Sequence, residues 1–169
     1  DHTMVHEIGH ALNLDHSQVN ANLIDDGDDD NDTDIPTMYP VSENAALQTS
    51  PTEDDAIALG TLYPASDFES SHCLVTGTLL DEDDNPLRCA DVQAISADTA
   101  DSVAFVSGAF AEASDGNGDG DTVDDGECTS GCGDFQLYLQ PGLDYTINIR
   151  AIDSSFTGGS SISPCANGQ

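Results

Sequence analysis

His6, Glu7, His10 and His16 are the residues of this 169-residue chain whose types and spacing could do chemistry. On a helix His6 and His10 share one face, because residues four apart are neighbours there. Two imidazoles so placed can grip one zinc ion. Glu7 follows the first of them directly, which aims its carboxylate beside the metal instead of at it. Together they spell HExxH. His16 stands six residues past His10, and no straight helix returns it to the same ion. The chain must turn sharply between them, and such a turn needs a residue with positive φ. Position 13 is Asn, the next choice after glycine for the left-handed region, because its short side chain hydrogen-bonds locally. Asn in place of glycine costs about 1 kcal/mol or less there. Two helical histidines need a third ligand from elsewhere to leave one position for water, and His16 can reach the same ion only through such a turn.

These residues need elements to hold them. Residues 1–16 read as a helix, with Met4, Val5, Ile8, Ala11 and Leu12 at helical spacing and Asp1 able to cap its start. His2 reads as an exposed residue of that helix and not as a ligand. Residues 17–35 are polar, and the acidic run from Asp25 to Asp34 predicts a loop. "IPTMYP", Ile35 to Pro40, predicts a tight turn with two prolines. A second helix follows in "SPTEDDAIALGTLY", with Ser50 and Glu53 as a capping box and Pro51 at its first position. Ala56, Leu59 and Tyr63, with Ile57 beside them, would form its apolar face, and Pro64 stops it.

The pattern changes after about residue 70. "CLVTGTLL", "ADVQAIS", "SVAFVSGAFA", "FQLYLQ" and "YTINIRAI" are short β-rich runs divided by turn clusters such as "DEDDNP" and "PGLD". They predict an all-β sandwich. Residues 65–72 read as a linker, with His72 in it and no partner for that histidine nearby. The expected fold class is α+β, a helical part followed by the sandwich.

The formal charge is −31, from 33 Asp and Glu against Arg88 and Arg150 alone. Such a surface repels phosphates and anionic lipid heads, which argues against nucleic acid and anionic membrane surfaces as partners. It attracts cations, and it also suits high salt, where screening weakens self-repulsion. Asp115, Asn117, Asp119, Gly120 and Asp121 fit the first half of a calcium loop, although Glu127 falls one residue late for its closing ligand. They are candidate calcium ligands, with a solvated acidic loop as the plainer reading. The run from Asp26 to Asp34 is a weaker candidate because it lacks the central glycine in register. No apolar run approaches the ~20 residues that span a bilayer. Asp1 opens directly onto the helical motif with no initiator Met, which reads as a fragment of a longer chain. The five cysteines, Cys73, Cys89, Cys128, Cys132 and Cys165, lack zinc-ribbon spacing and predict disulfides of an exported protein, with one left over. Cys73 with Cys89, and Cys128 with Cys132, are plausible pairs.

In order along the chain, "HEIGHALNLDHS", "TMYP" and "TEDDAIALGTLYP" resemble the metzincin zinc metalloproteases, HExxHxxGxxH followed by a Met-turn. The matrixin branch, the matrix-metalloprotease-like one, is the nearest likeness. The resemblance implies that His6, His10 and His16 bind zinc, that Glu7 is the general base, and that Met38 is the Met-turn residue beneath the metal. It implies that residues 1–64 are the C-terminal portion of such a catalytic domain, without its N-terminal portion, and that residues 52–63 are its last helix. The β-rich half, residues 73–153, resembles a carboxypeptidase-regulatory-like, prealbumin-type sandwich through "LVTGTLLDEDDNPLRCADVQAIS" and "GDFQLYLQPGLDYTINIRA". Residues 113–132 would be an acidic insert in it, and residues 154–169 a truncated or disordered tail. Modules of that kind are usually accessory. The expectation is a secreted or cell-surface zinc metalloendopeptidase acting on protein or peptide substrates. The alternative is a calcium-dependent surface or adhesion module carrying a non-catalytic metzincin remnant.

Overall fold

Asn13 ends the first helix. The computed structural model describes residues 1–42, 46–113, 128–156 and 162. In it α1 spans His2–Ala11, five residues short of the predicted end. Asn13 has φ +63°, the left-handed value its type allows. Its N–H donates to His10 O at 2.9 Å, and the next N–H, of Leu14, donates to Gly9 O at 3.0 Å. This is a Schellman ending with Asn in the usual place of glycine. Asp1 is the N-cap, but through its carbonyl, which accepts from Met4 and Val5 N–H; its side chain makes no capping bond. Met4, Ile8 and Leu12 form an exposed apolar stripe along α1.

The acidic run winds into a short 3-10 helix, Asp29–Asp34, after another at Ala21–Leu23. Aspartates hold it by accepting local amides. Asp26 takes Asp28 N–H at 2.8 Å and the Asn31 amide at 2.9 Å, and Asp28 takes Asp30 N–H at 3.2 Å. The Asn31 amide, then Asp28 N–H, holds the Asp26 carboxyl below the usual carboxylate range.

The second helix, α2, spans Glu53–Leu62, and Thr52, not Ser50, is its N-cap. Asp55 closes the box: it accepts from Thr52 N–H at 2.8 Å and Thr52 Oγ1 at 3.1 Å. Pro51 therefore stands before the cap. The buried face also differs from the predicted one. Asp54, Asp55 and Ile57 are buried, whereas Ala56 and Tyr63 are exposed. The two carboxylates are buried because backbone N–H groups from distant segments meet them. The predicted linker holds a third helix, α3, Phe68–Ser71. Phe68 packs on the Tyr138 ring, centroids 4.8 Å apart, so closely under Gly60 that a β-carbon there would fall 2.3 Å from it. His72 is partnered after all: its Nδ1 lies 2.8 Å from Phe68 O.

The β-rich half has three antiparallel pieces. β1 (Cys73–Thr78) pairs with β6 (Asp134–Leu139); β2 (Ala90–Ser96) lies between β3 (Val103–Val106) and β7 (Tyr145–Ala151); β4 (Glu112–Ala113) pairs with β5 (Cys128–Ser130). Four of the five predicted runs match β1, β2, β6 and β7 closely, and Gly142 at φ +87° makes the turn in "PGLD". Val92, Ala94 and Val103 of the three-stranded sheet share one core with Leu137 and Leu139 of β6. Ile57 of α2 and Phe68 of α3 belong to that same core. A second core joins Leu23, Ile35 and Tyr39 to Phe156 and Ile162. Residues 156 and 162, expected in a loose tail, are thus buried, and Phe156 meets the Tyr39 ring edge-on at 5.4 Å. The architecture is mixed α+β, with both cores drawing on both halves of the sequence. Cys73 is a free, exposed thiol, so the predicted Cys73 to Cys89 bond is not formed. It opens β1 on the solvent side, and Cys89 and Cys132 are disulfide-bonded. No helix among the described residues is long and apolar enough to cross a membrane.

Candidate metal centre

The three histidines predicted as ligands come together. His10 Nε2 lies 3.1 Å from His6 Nε2 and 3.1 Å from His16 Nε2, and the His6 and His16 atoms are 3.3 Å apart. Ligands around a tetrahedral zinc with bonds of ~2.0–2.1 Å lie ~3.3 Å from one another. Among the described residues they are the one group of three or more metal-ligating side chains.

The far side of two rings decides what these nitrogens can do. His6 Nδ1 is 2.8 Å from Thr37 O, and His10 Nδ1 is 3.0 Å from Leu14 O. A carbonyl oxygen only accepts, so each Nδ1 carries its ring's proton and donates it. A neutral imidazole has one N–H, so both Nε2 atoms present lone pairs to each other at 3.1 Å. A cation among them relieves that repulsion, and imidazole nitrogens are zinc ligands. The residues present fit the ion. Backbone carbonyls on the other ring nitrogen are the usual means of orienting a metal-binding histidine.

Met38 is buried directly beneath α1. A β-carbon on Gly9 would fall 2.3 Å from Met38 Sδ, which explains a glycine between the two helical histidines. The turn carrying Met38 is held from α2. The Asp55 carboxylate accepts from Thr37 N–H at 2.9 Å and Met38 N–H at 3.1 Å. Thr37 O then orients His6, and Met38 O accepts from Ser17 N–H at 3.0 Å, next to His16. Glu7 follows His6 on α1 and is exposed to solvent. His2, expected to be exposed, is only 5 % exposed. Burial, with His6 nearby, lowers its pKa, and it takes no place in the cluster.

Beyond His16 the chain runs into the β-rich half. Gln18 donates from Nε2 to Asp91 Oδ2 at 2.8 Å and to Ala151 O at 3.1 Å. Its Oε1 accepts Asp153 N–H at 2.9 Å. Asp54 accepts Ala104 N–H of β3 at 2.7 Å. Burial, and then the charge of Asp55, pushes the Asp54 carboxyl up to about 7. Burial also raises Asp91, against the opposing bonds from Gln18 and Gln93. A cavity of about 240 Å³ lies between these groups, walled by His16, Met38, Asp54, Asp91, Val103 and Leu137.

Thr37, Asp55 and Gln18 were not singled out as site residues from the sequence. For Asp55 a signal exists, the Thr52-x-x-Asp55 spacing of a capping box. Nothing in the sequence marks a loop glutamine or a carbonyl. The candidate calcium ligands Asp115, Asn117, Asp119 and Asp121 lie outside the described residues. The run from Asp25 to Asp34 gathers no group of three or more metal-ligating side chains among the described residues. No protein-family model, no curated protein and no solved structure matches the chain.

Proposed function

We propose that this chain carries the zinc centre of a metalloendopeptidase of the metzincin class, matrixin-like over residues 1–64, followed by a carboxypeptidase-regulatory-like sandwich. The observation that carries the reading is the convergence of His6, His10 and His16 Nε2, with the rings of His6 and His10 turned by backbone carbonyls so that lone pairs face inward. His6, His10 and His16 would hold the ion. When bound, zinc supplies Lewis acidity and lowers the pKa of a coordinated water to about 7. Glu7 follows the first ligand on the same helix and is open to solvent. Its carboxylate is the base that takes a proton from the attacking water and hands one to the departing amine nitrogen. Thr37 O and Leu14 O keep the His6 and His10 rings in register throughout, and Met38 supports α1 from below.

The substrate is a protein or peptide, and the setting is outside the cell, where the cysteine usage is at home. In the resembled family a twisted sheet precedes this helix, and the Met4, Ile8 and Leu12 stripe is an apolar face that such a sheet would cover. The test is cleavage of a mixed peptide library by the zinc-loaded protein beside its Glu7→Gln variant. The variant should keep its zinc and lose about 10²–10⁴-fold in rate, the usual worth of an acid–base group. Equal rates in the two proteins would sink the assignment.

A further inference from the structure

His6 and His10 are placed by the helix that carries them. His16 belongs to no helix or strand, so its place depends on what grips the chain on either side. Upstream, the Asn13 turn does this. Downstream, the strongest grip is on Gln18, two residues on and 6 % exposed. Both sites of its amide are engaged: Nε2 donates to Asp91 Oδ2 and Ala151 O, and Oε1 accepts Asp153 N–H. Gln93 Nε2 braces the same Asp91 oxygen at 2.6 Å. All these partners belong to β2, to β7 or to the residues just after β7. Asn20 adds a further tie, donating to Thr99 O at 2.7 Å.

We propose that Gln18 is a positioning residue for the third metal ligand, through which the β-rich half fixes where His16 stands. The proposal rests on the zinc reading above. It makes the β-rich half part of the metal centre's construction, where an accessory module would leave the centre untouched. A buried side chain with every hydrogen bond made tolerates little displacement, because each partner left unmatched carries its full desolvation penalty. His16, two residues away, inherits that restraint.

The test loads the 169-residue chain with cobalt(II), a visible-light stand-in for zinc, and compares it with three variants. Gln18→Met keeps the volume and removes the hydrogen bonds. Asp91→Asn keeps an oxygen that can accept from Gln18 and Gln93. His16→Ala removes the third ligand outright. Wild type should give the intense absorption of a tetrahedral site. Gln18→Met should move toward the weaker spectrum of His16→Ala, with zinc affinity down about tenfold to a hundredfold, as for other groups that orient ligands. Asp91→Asn should stay close to wild type. A merely structural Gln18 would lower the melting temperature of the metal-free chain and leave the cobalt spectrum unchanged. That result, beside an altered spectrum in His16→Ala, overturns the positioning role alone. Absence of the tetrahedral spectrum in wild type overturns the zinc reading itself. Should Gln18→Met fail to fold by circular dichroism, Gln18→Asn, one methylene shorter, carries the same comparison, and an unchanged spectrum there is equally fatal.

Discussion

Helix α1 and the segment from Asn13 to Asn20 present histidines of the same cluster in two ways. On α1 the four-residue spacing of His6 and His10 is enough to bring their rings together, and each ring is then trimmed by one carbonyl. The segment after α1 has no periodic structure to rely on. It is held by a left-handed asparagine at one end and by distant strands at the other. The difference teaches that a short motif can bring two histidines together by helical spacing, while the third stands where contacts from distant segments hold the chain beside it. Its geometry is no less definite for that, but it answers to different residues.

Asp55 offers the hardest blow to this contrast, because it serves both sides. Its carboxylate holds Thr37, which orients His6, and Met38, which holds Ser17. Asp55→Ala leaves several buried N–H groups unmet and should cost about 3–5 kcal/mol in urea unfolding. A loss below about 1 kcal/mol would mean that the two holdings are independent of α2. Next comes pH, which should act on the long-range side. The folded-state pKa of Asp54 is raised to about 7, above the ~3.9 of an unfolded aspartate. Below that lower value the group is protonated in both states. As pH climbs from about 4 to about 7 the unfolded chain releases a proton that the folded chain keeps, so stability falls, then levels off. Asp54→Asn keeps an acceptor for Ala104 N–H and should flatten this fall by on the order of a few kcal/mol; parallel wild-type and variant curves would count against it. On the helical side, Gly9→Ala drives a β-carbon into Met38 and should cost about 1–3 kcal/mol by overpacking. A neutral result would show that Met38 moves aside freely. The smallest effect belongs to the turn. Asn13→Ala should lose about 1 kcal/mol, because both residues carry a β-carbon at φ +63° but only the Asn side chain can compensate by hydrogen-bonding locally. Asn13→Gly, which sheds the β-carbon, should lose nothing or gain up to about 1 kcal/mol. Thermal unfolding of the pair measures it, and equal losses in the two would refute this account.

What could be read from the sequence was whatever depends on near neighbours. The pairing of His6 with His10, the left-handed Asn13 and the strands β1, β2, β6 and β7 follow from spacing, residue type and alternation, whereas His16 joins the pair through the family resemblance. The cap of α2 was misread by two residues, because Ser50 with Glu53 and Thr52 with Asp55 both satisfy the same spacing rule. Only the bond that Thr52 N–H donates to Asp55 Oδ2 separates them. The buried face of α2 was misread for a deeper reason. Aspartates are ordinarily exposed, and Asp54 and Asp55 are inside because N–H groups from Ala104, Thr37 and Met38 wait for them. Burial of a polar residue depends on its partner, and the partners lie up to 50 residues away. Phe68 and Phe156 were assigned to a linker and a tail by their polar surroundings, yet each fills a core.

The span of the Gln18 contacts sets an order of events. Its bond to Asp91 bridges 73 residues, and its bond with Asp153 bridges 135. Synthesis runs from the N-terminus, and contacts between remote residues form only after both ends exist and a long loop has closed. His6 and His10 leave the ribosome among the first residues of this segment and can form their turn of helix at once. The Gln18 anchorage, two residues past His16, must wait until β7 and Asp153 have been made. A growing chain therefore pairs His6 with His10 early, can tie Ser17 to Met38 once the turn is made, and completes the hold on Gln18 only as the β-rich half ends.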